Sequence, residues 1–254
     1  MKLFKLLSII LAFLFITACA TKKEILYFQD YENIPKDVIF NTTKIQVNDI
    51  LNITVKSLVP EAAAPYNRIG SSTGNSNNSG ALKQLGYLVS TEGNITFPIL
   101  GTLLVKNKTT KELETYIRKI LIDKGHLKDP TVIVRIVNAK FTVLGEVGSP
   151  GTYDYDEETI TLPQALGMAG DLSIYGMREN VMIIREVDQV RTVGHIDMTK
   201  TDWFNSPYYF IKQNDIIVVD QNGPAVKKAG YITNYTGLFG VVSFALTIIL
   251  LLQN

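Results

Sequence analysis

Few residues in this chain could do chemistry, and they lie far apart. There is one cysteine, Cys19, and there are two histidines, His126 and His195. A single thiol excludes an intrachain disulfide and a cysteine-built metal cage. The two imidazoles fall in different predicted units, which leaves little support for a shared zinc site or a cysteine–histidine dyad, and each reads as a surface or structural histidine. Asp154, Asp156, Glu157 and Glu158 gather four carboxylates beside a Pro150-Gly151 turn. Such a knot could bind a cation or a basic neighbour in a ring, but a solvated loop is the favoured reading. No glycine-rich phosphate loop is present. The sequence therefore assigns no catalytic residue, no metal and no cofactor, and it reads as a non-enzyme.

The chemistry that does fit Cys19 is lipid attachment. Met1-Lys2 and Lys5 make a short basic region, Leu6 to Phe15 is apolar, and Ile16-Thr17-Ala18 leads into the cysteine. The apolar run is too short to span a bilayer but has the anatomy of a cleaved leader. It resembles the bacterial lipobox, in which the leader is cut before the cysteine and the thiol and new amine are acylated. The bland alternative is an ordinary signal peptide with an accidental cysteine. Removing the leader takes away Lys2 and Lys5, leaving 23 basic against 24 acidic residues. That balance, without a basic tract, gives no reason to expect nucleic acid binding.

A second attachment is expected at the other end. After Lys228 no charged side chain recurs, and residues 231–252 would form a helix of about 33 Å. Between Leu238 and Leu252 eleven side chains are large and apolar, which favours insertion by roughly 3 to 6 kcal/mol. Thr233, Gly240 and Thr247 recur every seven residues and interleave with Thr236 and Ser243, so small or weakly polar groups make one stripe. In lipid such a stripe marks a helix-to-helix seam, and in a ring of copies it could equally line a lumen. A solitary anchor and a buried core helix are the alternatives.

Between these ends the pattern is α+β. Residues 19–44 read as a lipidated, extended lead-in. Residues 45–139 form one unit: Leu51, Ile53 and Val55 alternate as in a half-buried strand, and residues 60–86 read as a loop rich in Gly, Ser and Asn. A hairpin is expected from Tyr87–Ser90 into Ile95–Ile99 across Thr91-Glu92-Gly93-Asn94. Thr109 and Glu112 have capping-box spacing ahead of Leu113, Ile117, Ile120 and Leu121, with Gly125 as the stop. Residues 140–222 form a second unit, a β-sheet crossed by one helix that starts at the Thr161–Gln164 capping box.

Taken in order, these pieces resemble a known family. Val47-Asn48-Asp49-Ile50-Leu51-Asn52-Ile53, then Ser90 to Gly101, then Lys108 to Glu112 look like the periplasmic domain of Wza-type outer-membrane polysaccharide exporters. Val143 to Val147, Pro150-Gly151, Ala169-Gly170-Asp171 and Val181 to Arg185 look like the soluble-ligand-binding β-grasp (SLBB) domain that comes after it there. The resemblance implies a small mixed α/β export domain, an SLBB domain and a C-terminal transmembrane helix. It further implies a lipoprotein of the Gram-negative outer membrane whose copies form a ring, often of eight. Capsular or extracellular polysaccharide would pass through that ring, handed on by an inner-membrane co-polymerase that is often a tyrosine kinase. Two departures are visible: one β-grasp unit where the best-known members have two, and a tail more apolar than their amphipathic pore helices. The alternative function is a periplasmic glycan-binding or sensory lipoprotein with a tail anchor and no channel.

Overall fold

A computed structural model describes residues 25–37, 43–68 and 83–223, together with Gly240 and Ser243. Among these residues the fold is mixed α and β, with two separate hydrophobic cores.

The first core is built on β1 (Ile50–Lys56). Its alternation buries Leu51, Ile53 and Val55 on one face, as period-two patterning requires. β1 is the central strand of a three-stranded antiparallel sheet, flanked by β2 (Tyr87–Leu88) and β5 (Thr131–Ile136). Before β2 comes a short helix α1 (Pro60–Ala63). After β2 come the hairpin of β3 (Asn94–Phe97) and β4 (Gly101–Leu104) and then helix α2 (Thr110–Asp123). The α2 capping box forms as spaced: Thr109 Oγ1 accepts from Glu112 N at 3.1 Å, and Glu112 Oε2 accepts from Thr109 N at 2.8 Å. Leu113, Ile117 and Leu121 recur every four residues and are fully buried against the sheet. Gly125 ends the helix at φ +72°.

Two expectations for this unit need correction. The hairpin forms one element later than the sequence suggests, because β2 is taken by β1 and β3 pairs instead with β4. The start of the loop assigned to residues 60–86 is ordered and packed. Ala63 and Tyr66 are buried, and the Asn67 side chain bonds both the N–H and the carbonyl of Val55 at 2.8 Å, imitating a paired strand. Part of that loop, 69–82, lies outside the described residues.

The second core lies in a five-stranded sheet of order β10-β9-β12-β6-β7. Its strands are β6 (Lys140–Gly145), β7 (Gly151–Asp154), β9 (Gly176–Val187), β10 (Val190–Ile196) and β12 (Ile216–Gln221). Only β12 and β6 run parallel; the other neighbours are antiparallel. They come so close at Gly145, φ +91°, that a β-carbon there would sit 2.0 Å from the Val219 carbonyl oxygen. Helix α3 (Leu162–Met168) crosses the sheet with Leu162, Ala165 and Leu166 buried, and a two-stranded ladder of β8 (Ile160–Thr161) and β11 (Phe210–Ile211) closes one end.

The lead-in is more than a tether. Phe28 N and Gln29 N donate to the carbonyls of Met198 and Thr199 at 3.2 and 2.7 Å, and the Phe28 ring packs on Trp203 and Phe204. Tyr27 donates to Asp171 at 2.6 Å, and burial together with that hydrogen bond holds its phenol well above the ordinary range. The segment reaching back toward Cys19 is thereby fastened to the second unit.

One ion pair sits at the heart of that unit. Arg185 is 6% and Asp215 0% exposed at the side chain. The guanidinium grips the carboxylate through Nε at 2.9 Å and Nη2 at 2.6 Å, and it also donates to the Pro207 and Phe210 carbonyls at 2.7 and 2.9 Å. A buried pair is tolerable only when its remaining donors are satisfied in this way. Asp215→Leu alone should therefore cost about 3–5 kcal/mol in chemical denaturation by stranding Arg185, while Asp215→Leu with Arg185→Met should recover most of that loss.

No helix among the described residues is long and apolar enough to cross a membrane. The apolar stretch 231–252 lies outside the described residues except for Gly240 and Ser243. Both are helical and exposed, and Ser243 Oγ donates to the Gly240 carbonyl at 3.0 Å.

Candidate functional site

The two cores meet at a pair of matching turns. Gln46-Val47-Asn48-Asp49 leads into β1, and Lys212-Gln213-Asn214-Asp215 leads into β12. In each the asparagine takes a left-handed conformation, φ +69° at Asn48 and +63° at Asn214. Asparagine tolerates that region because its short side chain can bond locally. In each the aspartate turns back to accept the N–H three residues earlier, Gln46 N at 2.9 Å and Lys212 N at 2.8 Å. The strand entered from each turn is an interior one of its sheet.

The connection between the units is stitched to the first turn. Val137 N donates to the Ile50 carbonyl at 2.9 Å. Asn138 then spans the corner: Oδ1 accepts from Ile50 N at 2.8 Å, and Nδ2 donates to the Asn48 carbonyl at 2.9 Å. Chain direction from β5 into β6 is set by these three bonds.

A cleft opens on either side of this junction. One, about 430 Å³, is lined by Thr43, Lys111, Glu114 and Arg135 from the first unit and by Tyr155 and Gln213 from the second. The other, about 710 Å³, lies between Gln46, Asn48 and Lys106 on one side and Glu186, Asp188 and Asn214 on the other. Ion pairs cross the gap at Lys106–Asp188, 2.9 Å, and Lys83–Asp154, 2.8 Å; the lysines are partly and the aspartates well exposed, so each contributes less than about 1 kcal/mol. The near-neutral total conceals a division of charge. Residues 43–137 hold twelve Lys and Arg against seven Asp and Glu, and residues 138–223 hold six against thirteen. The basic first unit and acidic second unit attract one another across the junction.

Ionisation at the junction is perturbed. Burial pushes the Asp49 carboxyl up to about 6, against the partial offset of its bonds to Gln46 and Gln213. Tyr155 is pushed up to about 12, first by burial and then by the charges of Asp215 and Asp49. Lys212 is pushed down by burial and by the Arg185 charge.

The residues singled out from the sequence do not converge here. Cys19, Thr233, Thr236 and Thr247 lie outside the described residues, and Gly240 and Ser243 belong to the terminal stretch. His126 sits edge-on to Tyr66, while His195 Nδ1 is 2.7 Å from Asn180 Oδ1 on the other unit. The acidic knot is split, with Asp154 paired to Lys83 and Asp156, Glu157 and Glu158 on the wall of the smaller cleft. Among the described residues no group of three or more His, Cys, Asp or Glu is placed to hold a metal ion. The turns themselves were readable as a repeat, Asn48-Asp49-Ile50 and Asn214-Asp215-Ile216, which is the signal that would have drawn attention to them.

Residues 40–137 match the family of polysaccharide biosynthesis/export proteins. The matched stretch takes in the whole of the first unit from β1 to β5. For that stretch the resemblance carried by the sequence motifs is borne out. The chain is also 35% identical over 136 residues to the EPS I polysaccharide export outer membrane protein EpsA of Ralstonia solanacearum, and 36% identical over 135 residues to the protein of the same name from Ralstonia nicotianae. These matches cover 52% and 51% of this chain but only 35% of either relative, so the likeness spans about a third of those proteins' length.

Asn138 joins the first unit to the second, and its loss has a definite expected effect. Asn138→Ala removes the partners of the Ile50 N–H and the Asn48 carbonyl, which should cost about 1–3 kcal/mol in urea denaturation. Asn138→Asp keeps the acceptor for the Ile50 N–H but turns a second oxygen toward the Asn48 carbonyl, so it should recover little of that loss.

Proposed function

We propose that this protein is a subunit of an envelope assembly that exports an extracellular polysaccharide to the cell surface. The observation that carries this reading is the agreement between residues 40–137, matched to the export family, and a unit with its own core, sheet and helix. Both relatives bear the name of exopolysaccharide export proteins of the outer membrane. The second unit, with a helix across a five-stranded sheet, is compatible with the SLBB β-grasp domain that the resemblance implies.

In this reading the division is 1–18 signal, 19–44 lipidated lead-in, 45–139 export domain, 140–222 SLBB domain and 231–252 membrane helix. Acylated Cys19 and the terminal helix fix the protein to the outer membrane, with both units in the periplasm. Copies close into a ring, and the Thr233, Thr236, Gly240, Ser243 and Thr247 stripe faces either the neighbouring helix or the lumen. The partners are other copies of the chain, the polymer, and an inner-membrane co-polymerase. No reaction is required, since passage depends on the width and polarity of the path.

The docked lead-in adds a geometric argument. Tyr27 and Phe28 are bound to the second unit, and β12 of that same unit ends at Gln221, ten residues before the apolar stretch. Both membrane attachments therefore leave from the second unit, so the export domain would hang farther from the bilayer.

Mass photometry of the full chain extracted in mild detergent tests the assembly. A single species of several subunit masses is expected. A uniform monomer would contradict the ring and leave the glycan-binding lipoprotein as the better account.

A further inference from the structure

The lead-in and the chain leaving β12 meet at one loop, residues 171–175, which runs from α3 into β9. Tyr27 of the lead-in donates to Asp171 Oδ1 at 2.6 Å. Asn222, the first residue after β12, donates through its backbone N–H to the Tyr175 carbonyl at 2.8 Å and through Nδ2 to the Ile174 carbonyl at 3.1 Å. The loop is held firmly. Arg178, 6% exposed, donates to the carbonyls of Leu172, Ser173 and Gly176 at 3.3, 3.2 and 3.1 Å, and its guanidinium lies 5.0 Å from the centre of the Tyr27 ring. Ser173 Oγ adds a bond to Glu146 Oε2 at 2.8 Å. So fixed, the loop still turns Ile174 out at 65% exposure and Tyr175 at 38%, and Ile25 and Leu26, just before Tyr27, are exposed as well. Single exposed apolar side chains are ordinary. Four of them where both ends of the chain converge are not.

We propose that loop 171–175, with Ile25 and Leu26, is a membrane-contact surface seated among the headgroups of an anionic bilayer; this rests on the reading of Cys19 as acylated and of 231–252 as a membrane helix. The length of chain on either side points to the bilayer as the occupant. Ile25 is six positions from Cys19, and Gly223 is eight from Tyr231. At no more than about 3.6 Å per residue, Cys19 lies within about 22 Å of Ile25 and Tyr231 within about 29 Å of Gly223. Two tethers so short, rooted at one loop, bring that loop nearest the lipid. Each tether also carries a lysine pair, Lys22-Lys23 and Lys227-Lys228, which an anionic headgroup layer attracts. Apolar side chains flanked by cations suit the boundary between headgroups and acyl chains, and a tyrosine suits it further because its ring is apolar and its hydroxyl stays wet.

Leu58 supplies the comparison. It is 92% exposed and lies beyond the end of β1, whose first residue, Ile50, is stitched to Asn138 at the junction. Leu58 is therefore more exposed than Ile174 but has no tether rooted beside it.

Fluorescence of the full chain in lipid vesicles tests the proposal. Ile174→Cys and Leu58→Cys would each carry a polarity-sensitive thiol label, in vesicles of phosphatidylethanolamine and phosphatidylglycerol doped with a headgroup spin-labelled lipid. The label at 174 should emit at shorter wavelength than the label at 58 and be quenched several-fold more strongly. Exchanging phosphatidylglycerol for phosphatidylcholine should weaken that quenching, and quenching that does not change would overturn the anionic surface. Equal quenching at the two positions would overturn the contact surface while leaving both anchors standing. Short-wavelength emission at 174 without quenching would put a second copy over the loop and overturn the proposal as well. The unsubstituted chain should take no label, because an acylated Cys19 has no free thiol; uptake there would sink the reading of the anchor and the proposal with it.

Discussion

An aspartate buried in the turn that leads into an interior strand must find its hydrogen-bond partners within the protein. This chain meets that constraint twice with the same device, an aspartate that folds back onto its own turn after a left-handed asparagine. The strands so introduced, β1 and β12, carry some of the most completely buried side chains of their sheets, among them Leu51 and Ile217. Around them the remaining elements take positions set by burial: α2 over the first sheet and α3 over the second. Because the two turns face each other, the constraint that organises each unit also places the seam between them.

That seam gives the molecule its character as two bodies rather than one. Asn138 fixes the corner by bonds to backbone, which hold their geometry, whereas the ion pairs that cross the clefts are exposed and weak. Opposite net charges draw the units together without specifying an angle. A joint of this kind is rigid at its hinge and soft at its flanks.

Much of this architecture was legible in the sequence. Strict alternation at Leu51, Ile53 and Val55, and the capping boxes at Thr109 and Thr161, named a strand and two helices with their starting residues, since those signals are local. Pairing was not local, and there the reading slipped: β2 looked like the first arm of a hairpin because a Gly-Asn turn came after it, but β1 competed for its edge and won. The packing of Tyr66 in a segment read as loop, and of Phe28 on Trp203, depended on partners far along the chain. The candidate site was the least legible part. Single titratable residues attract attention by type, whereas the paired turns show their role only where the fold brings them together.

Movement of an extracellular polysaccharide across the envelope is the central claim, and the location of the polymer tests it most directly. Cells lacking the chain, and cells complemented with it, would be fractionated and the polysaccharide measured in the medium and in the periplasm. Loss of the chain is predicted to empty the medium fraction and retain polymer within the envelope, with complementation restoring release. Unchanged release in cells lacking the chain would contradict the claim.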